Sequence, residues 1–277
     1  ATVSIYPALA SSPADNAIIS MLSMDMVGGS KCRFADYNYS GTEKVVMVDG
    51  VNYPIAGTPD EMNRLNGTTD LLGASTVSSH NNHLFFGVGS KLVFSAPFTE
   101  NDYATGNGAG VVQLHHNITG LITFREKLIV FTDSTIHYIS GTTSANFALV
   151  EISGDLGCSE PDTIKEVGGD ILFLGPDGLR FLGATERIGD FNLSLASRDI
   201  QTKFNTFGSD HTNLCSIVIR DKSQYRVFGF TEGRTDATSV GYLGTQFTDQ
   251  ESSGFQWAEL KGFKVYRTSS TYTGKAL

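Results

Sequence analysis

The chain has 277 residues, 40% hydrophobic and only 18% charged. That balance allows a sizeable buried core and excludes a disordered chain, which needs few apolar residues and a high net charge. The 30 glycines follow no Gly-X-Y period, and the 18 Phe and 10 Tyr fall in short runs, so collagen and coiled coil are excluded and glycine reads as turn punctuation between strands. A formal charge of -9 argues against gripping nucleic acid through its phosphates, which takes a surplus of Lys and Arg on one face; touching DNA without holding it stays open.

In chain order, the first 30 residues lack a basic region followed by an apolar block, and no later stretch approaches the roughly 18 apolar residues of a membrane helix. The chain is expected to be soluble, with no membrane span. It starts at Ala1 and stops at Leu277 within a strand-like run, so both ends are expected to be trimmed.

From there on the periodicity is almost everywhere two-residue: short apolar runs bounded by Gly, Asp, Asn or Ser. A first unit runs through Lys31–Ala35, Glu43–Val48 and Val51–Tyr53, and a second through Ala74–Ser78, Asn82–Phe86 and Lys91–Ser95. The third contains the plainest hairpin, Lys127–Phe131 and Thr135–Ile139 about a Thr-Asp-Ser tip, preceded by Ile118–Phe124. The fourth places Asp170–Leu174 and Leu179–Leu182 about Gly175-Pro-Asp-Gly178, preceded by Thr163–Val167. The fifth uses Leu214–Ile219, Gln224–Phe230 and Val240–Leu243; Phe255–Ala258 with Phe263–Tyr266 begins a sixth.

Central strands recur every roughly 40 to 55 residues, the period of propeller blades. A small sheet cannot bury two apolar faces alone but can do so against its neighbours. The expected fold is all-β, a single propeller-like array over 1–277 of about five to six antiparallel blades with short helical insertions. The blade units fall at about 30–58, 74–97, 117–141, 160–184 and 213–260, with a partial unit at 261–277. A two-sheet sandwich is the alternative. Phe86, Phe131, Ile136, Phe173 and Phe181 are expected between neighbouring blades.

Three segments interrupt the units. Pro59–Leu65 is read as one or two helical turns with acids at its start. The first of them extends to Leu72; in the second, Phe98–Gly110, the polar, glycine-rich run Thr99–Gly110 is read as an exposed loop. The third runs from Thr185 to Thr206, and within it Ser197–Phe204 reads as a short helix with Ile200, Lys203 and Phe204 on one side.

Cys32, Cys158 and Cys215 form no C-x-x-C pair and are odd in number, which reads as buried free thiols. His80 with His83 and His115 with His116 have no acidic or Cys ligand at a metal-like interval, and His137 lies in an alternating strand as a face-lining residue. No G-x-S-x-G elbow, P-loop or sialidase-type Asp box occurs. Asp155, Glu160, Asp162, Asp170 and Asp177 are the acids from which a glycosidase pair would be drawn, but Asp170 and Asp177 read more simply as hairpin boundaries. Sequons at Asn38, Asn66, Asn117 and Asn192 occur at about the chance rate for this composition. The residues therefore assign no catalytic, cofactor-binding or metal-binding group, and the chain is read as a non-enzyme.

The run Asn117–Gly141 resembles the blade pattern of nozzle or tail-tube proteins of short-tailed bacteriophages. Gly157-Cys-Ser-Glu-Pro-Asp-Thr163, Val167–Leu174 and Pro176–Phe181 extend the likeness, as do Tyr39–Tyr53 and Lys91-Leu-Val-Phe-Ser-Ala-Pro-Phe-Thr-Glu-Asn-Asp-Tyr103. It covers about residues 30 to 205, and its specificity lies in order and spacing. The resemblance implies a structural protein of the virion tail, made in the host cytoplasm and assembled as a homo-oligomer, six copies in relatives. It would form a conduit below the portal and adaptor proteins, near the tail fibres, in transient non-specific contact with the genome. Acidic residues on blade-connecting loops are then expected to face the ring axis, repelling phosphate so that DNA slides. The reading from another class is a glycan-binding or glycan-cleaving propeller.

Overall fold

Alternating β-branched and aromatic runs pair with their sequence neighbours throughout the computed structural model, which describes residues 31–39, 41–58, 60–158, 160–183, 196–231, 239–248, 253–262, 264–265 and 268. The first sheet joins β1 (Arg33–Tyr37), β2 (Lys44–Val48), β3 (Ile55–Thr58) and β4 (Glu61–Arg64). The second joins β5 (Thr76–His80), β6 (His83–Val88), β7 (Lys91–Phe94) and β8 (Gly110–Gln113). The third is β9 (Ile118–Phe124), β10 (Lys127–Thr132), β11 (Ile136–Ser140) and β12 (Ala148–Ser153). A three-stranded fourth sheet has β13 (Lys165–Val167), β14 (Asp170–Gly175) and β15 (Gly178–Phe181), and the fifth has β16 (Asn213–Ile219), β17 (Gln224–Phe230), β18 (Val240–Thr248) and β19 (Ser253–Lys261). Every pairing is antiparallel between consecutive strands, so each sheet is a meander. The fold is all-β and propeller-like.

The sheets stack in chain order through four apolar layers. Val46 and Val48 of the first sheet meet Val77, Leu84 and Phe86 of the second. Phe85, Leu92 and Phe94 meet Leu128, Val130 and Ile139 of the third. Ile129, Phe131 and Ile136 meet Ile171 and Phe173 of the fourth, and Leu172, Leu174 and Leu179 meet Leu214, Tyr225 and Val227 of the fifth. The five residues expected between blades are placed there; Phe181 is half-buried, its ring 5.7 Å from Phe255. Since fully burying one such side chain contributes about 1.5–3 kcal/mol, these layers rather than the hairpins hold the array together.

The junction of the fifth sheet with the first is different. Among the described residues it has no comparable apolar layer, and its ties are polar: Lys31 Nζ donates to the Leu214 carbonyl at 2.7 Å. Two residues of the expected sixth unit, Val265 and Thr268, lie along β16, where Cys215 Sγ donates to the Val265 carbonyl (3.3 Å) and Thr268 Oγ1 to that of Ser216 (2.6 Å). The rest of 266–277, residues 1–30, and 184–195 with the Asn192 sequon lie outside the described residues.

Two local expectations are corrected. Residues 61–64 form a strand rather than a helical turn, with Ile55 opposite Arg64 and Ala56 opposite Asn63; cross-strand pairing with β3 outweighs the weak helical signal of an acidic start. Within Ser197–Phe204 the helix is present, as a 3-10 turn Arg198–Ile200 followed by an α-helical turn Gln201–Phe204, and the correction is to the side Lys203 takes. Phe204 is buried and Ile200 packs beside it, but Lys203 is exposed and pairs with Glu259 at 3.8 Å, because its charge stays in water.

Gly157-Cys-Ser-Glu-Pro-Asp-Thr163 is the joint between the third and fourth sheets. The Cys158 amide donates to the Thr132 carbonyl (2.8 Å), and Thr163 Oγ1 donates to the Glu160 carbonyl (2.6 Å) while accepting from the Leu174 amide (3.1 Å). Tyr225, fully buried in the fifth sheet, donates its hydroxyl to the Thr163 carbonyl at 2.9 Å. One short segment thus satisfies polar groups of three sheets, as buried polar atoms require.

Candidate functional site

The first strand of each sheet faces a common axis, and there the five strands surround an opening of about 640 Å³. Arg33 and Phe34 come from β1, Thr76 and Val77 from β5, Gly120 to Thr123 from β9, Lys165 and Glu166 from β13, and Ser216 to Val218 from β16. Asp162 projects in from the 3-10 turn Pro161–Thr163, and Arg220 stands at the end of β16. Each of these strands is the first of its sheet and borders the opening, which is why residues far apart in sequence converge here.

Asp162 is the hub. Lys31 Nζ lies 2.9 Å from one carboxylate oxygen and Arg33 Nε 3.0 Å from the other. Arg33 Nη1 also donates to the Ser75 carbonyl (3.0 Å), and Ser216 Oγ donates to the carbonyl of Asp162 itself (2.6 Å). Burial alone would raise the Asp162 carboxyl; Arg33 and Lys31 overcome it and hold the group below the ordinary carboxylate range. Neighbouring Glu160 goes the other way: burial raises it, Lys31 opposes, and Asp162 adds to the rise. Burial also draws the Lys165 ammonium below its ordinary value, with Asp162 opposing and Arg33 adding.

The lining is mixed, Arg33, Lys165 and Arg220 against Asp162 and Glu166. The acidic surplus expected at a conduit axis is not gathered at the opening of this chain's own sheets. The axis of a ring of several copies is a different one, and the described surface of one chain does not define it.

The other candidates fall elsewhere. Asp170 accepts from the Ile171 and Gly183 amides (2.8 and 2.9 Å) at the start of its hairpin. Asp177 holds the buried Arg180 through both guanidinium edges, Nε to Oδ1 at 2.8 Å and Nη2 to Oδ2. Asp155 is exposed. His80 and His83 face each other across β5 and β6. His83 Nδ1 is 2.6 Å from the Ser95 carbonyl, its ring set among Phe85, Phe94 and Phe147. His137 lies 2.8 Å from Thr135 Oγ1 and His116 3.4 Å from Asp133. Among the described residues no three His, Cys, Asp or Glu side chains gather as a metal site would need, and no helix is long and apolar enough to cross a membrane. Cys158 and Cys215 are buried thiols, and burial pushes Cys158 up to about 12.

Sequence reasoning missed Lys31, Arg33, Lys165 and Arg220, and weighed Asp162 only as a glycosidase acid. The available signal was positional: Arg33 and Lys165 begin the first strand of a unit, Arg220 directly follows one, and Lys31 stands two residues before one.

No protein-family model matches the chain, and a search of curated proteins finds no match. Among solved structures it is similar to the N-terminal domain of Nup159 (10% identity, TM-score 0.44, 77% of this chain and 58% of that one). It is also similar to Hsv2 of Kluyveromyces marxianus (10%, 0.43, 86% and 66%) and of Kluyveromyces lactis (8%, 0.42, 79% and 71%). The chain thus spans 58% of the Nup159 domain's length. These likenesses are distant, and the fold assignment rests on the chain's own five sheets.

Proposed function

We propose that this chain is a non-catalytic structural propeller of a virion tail, one subunit of the nozzle through which the genome of a short-tailed phage leaves. The observation that carries the reading is where the family-like motifs fall. Asn117–Gly141 and Val167–Phe181 supply Phe131, Ile136, Ile171 and Phe173 to one interblade layer, and Gly157–Thr163 ties three sheets by hydrogen bonds through its backbone and the Thr163 hydroxyl. Their ordered residues serve rigid stacking of blades, which is what a tube wall under ejection load requires, and they converge on no reacting atom. Portal and adaptor proteins, and further copies of the chain, are the partners this reading names.

A glycan-binding propeller is the second reading, favoured by Phe34, 61% exposed at the mouth of the axial opening, where an aromatic face can receive a sugar. The single tryptophan is committed elsewhere: Trp257 stacks on Phe255 at 5.4 Å and its Nε1 donates to the Ala196 carbonyl at 3.0 Å. Native mass measurement with electron microscopy of purified particles decides between them. The nozzle reading requires this chain in the tail as a ring, and its absence from the tail would end that reading. Saturable signals on a glycan array, lost in Phe34→Ala, would move the assignment to the second.

A further inference from the structure

We propose that the axial opening is a binding site for a small oxyanion, of phosphate or carboxylate type, held by Lys165 and Arg220. The argument begins with charge that has no counterpart. Asp162 is already shared between Lys31 and Arg33, so the carboxylate nearest Lys165 is spent. The Lys165 ammonium lines the opening with no side-chain hydrogen bond or ion pair within 4 Å among the described residues, and the guanidinium of Arg220, which also lines it, has none either. Glu166 is the remaining acid of the lining and is exposed to solvent.

A half-buried ammonium without a close partner is costly, and burial draws Lys165 toward its neutral form, with Asp162 opposing and Arg33 adding. An anion entering the opening would relieve both, because it is drawn to Lys165 and Arg220 while Asp162 is screened by its own two cations. The chain as a whole is acidic at -9, whereas the opening carries Arg33, Lys165 and Arg220 against Asp162 and Glu166, a local cationic surplus open to a ligand small enough to enter about 640 Å³. Phosphate and carboxylate oxygens suit an ammonium and a guanidinium equally at this level.

The test is isothermal titration of the purified full chain with inorganic phosphate and, separately, with citrate, at pH 7 and constant ionic strength balanced with chloride. Saturable binding of one equivalent of either probe is expected. Phosphate alone would mark a phosphoryl site, citrate alone a carboxylate site, and both a general oxyanion site. Lys165→Met should weaken binding at least tenfold and Arg220→Gln severalfold, while Lys127→Gln, whose ammonium lies over the Tyr138 ring and outside the lining of the opening, should leave it unchanged. Absence of saturable binding of both probes, or equal binding by Lys165→Met with a native circular dichroism spectrum, would overturn the proposal. If Lys165→Met does not fold, Arg220→Gln decides on the same criterion, since the exposed Arg220 is not part of the core.

Discussion

The rings of Phe131 and Phe173 meet with centroids 5.1 Å apart and planes inclined by 56°, and neither is exposed to solvent. They belong to different sheets, so the pair is a joint between blades rather than a contact within one. Phe173→Ala should lower stability by about 3–5 kcal/mol, the range for deleting a fully buried Phe. Phe131→Ala should cost a similar amount, and the double variant less than their sum, because both remove the same contact. Urea denaturation midpoints measure all three; an unchanged midpoint for Phe173→Ala would mean that this face is not the core.

Asp162 and Glu160 should give the protein opposing acid responses. The Asp162 carboxyl titrates below its unfolded value, so its contribution is present above the unfolded pKa and is lost as pH falls through the folded one. Glu160 titrates above its unfolded value, so its contribution is present at low pH and is lost as pH rises through the folded pKa. Asp162→Asn should therefore destabilise at pH 7 and flatten the acid side of the stability curve. Its cost is set at about 1–3 kcal/mol, below the 3–5 of a fully buried pair, because its side chain keeps 21% exposure. Glu160→Gln should stabilise at pH 7 and make no difference near pH 3. Thermal midpoints between pH 3 and 7 for the three proteins check both signs.

Much of the fold was legible because the middle strands are short apolar runs buried on both faces, Leu128 to Phe131 and Ile171 to Leu174, and the turns beside them carry Asp, Gly or Pro. The fourth strands were not legible. Glu61–Arg64, Gly110–Gln113 and Ala148–Ser153 lie at sheet edges, where no second sheet covers them, and their residues are largely exposed or half-buried. Hydrophobic alternation fades there, and only pairing to the preceding strand defines the element. The axial cluster was illegible for a different reason. Arg33 and Asp162 are 129 positions apart, and that they face one another follows from how the sheets close around an axis, which no local pattern encodes.

Two glycines should separate backbone contact from mere exposure. A Cβ on Gly157 would stand 2.4 Å from the Ser134 nitrogen and 2.5 Å from the Thr132 carbonyl oxygen, so the joint must open to admit it. One on Gly106 would meet nothing within 4 Å. Gly157→Ala should cost at least the 1–3 kcal/mol of an overpacked site, whereas Gly106→Ala should stay within about 0.5 kcal/mol of the parent. Chemical denaturation of both variants is the measurement, and equal midpoints would contradict the close approach at the joint.

Phe98 holds a backbone conformation that aromatic residues rarely adopt, φ +59°, while leaving its side chain 60% exposed. Its amide donates to the Asn82 carbonyl at 2.8 Å, and its ring meets Tyr39 edge-on at 6.4 Å. The backbone bond fixes the left-handed turn, and a ring contact that is mostly solvated offsets little of the strain, about 1–2 kcal/mol for a residue with a Cβ. At an ordinary loop position alanine is more stabilising than glycine by about 0.4–1 kcal/mol, because glycine gains more freedom on unfolding. Here the order should reverse: Phe98→Gly should exceed Phe98→Ala by about 1 kcal/mol, since only glycine adopts this φ without a Cβ penalty while keeping the bond to Asn82. Denaturation midpoints of the two variants, measured side by side, test it. If Phe98→Ala proves as stable as Phe98→Gly, the left-handed turn is not enforced by the fold.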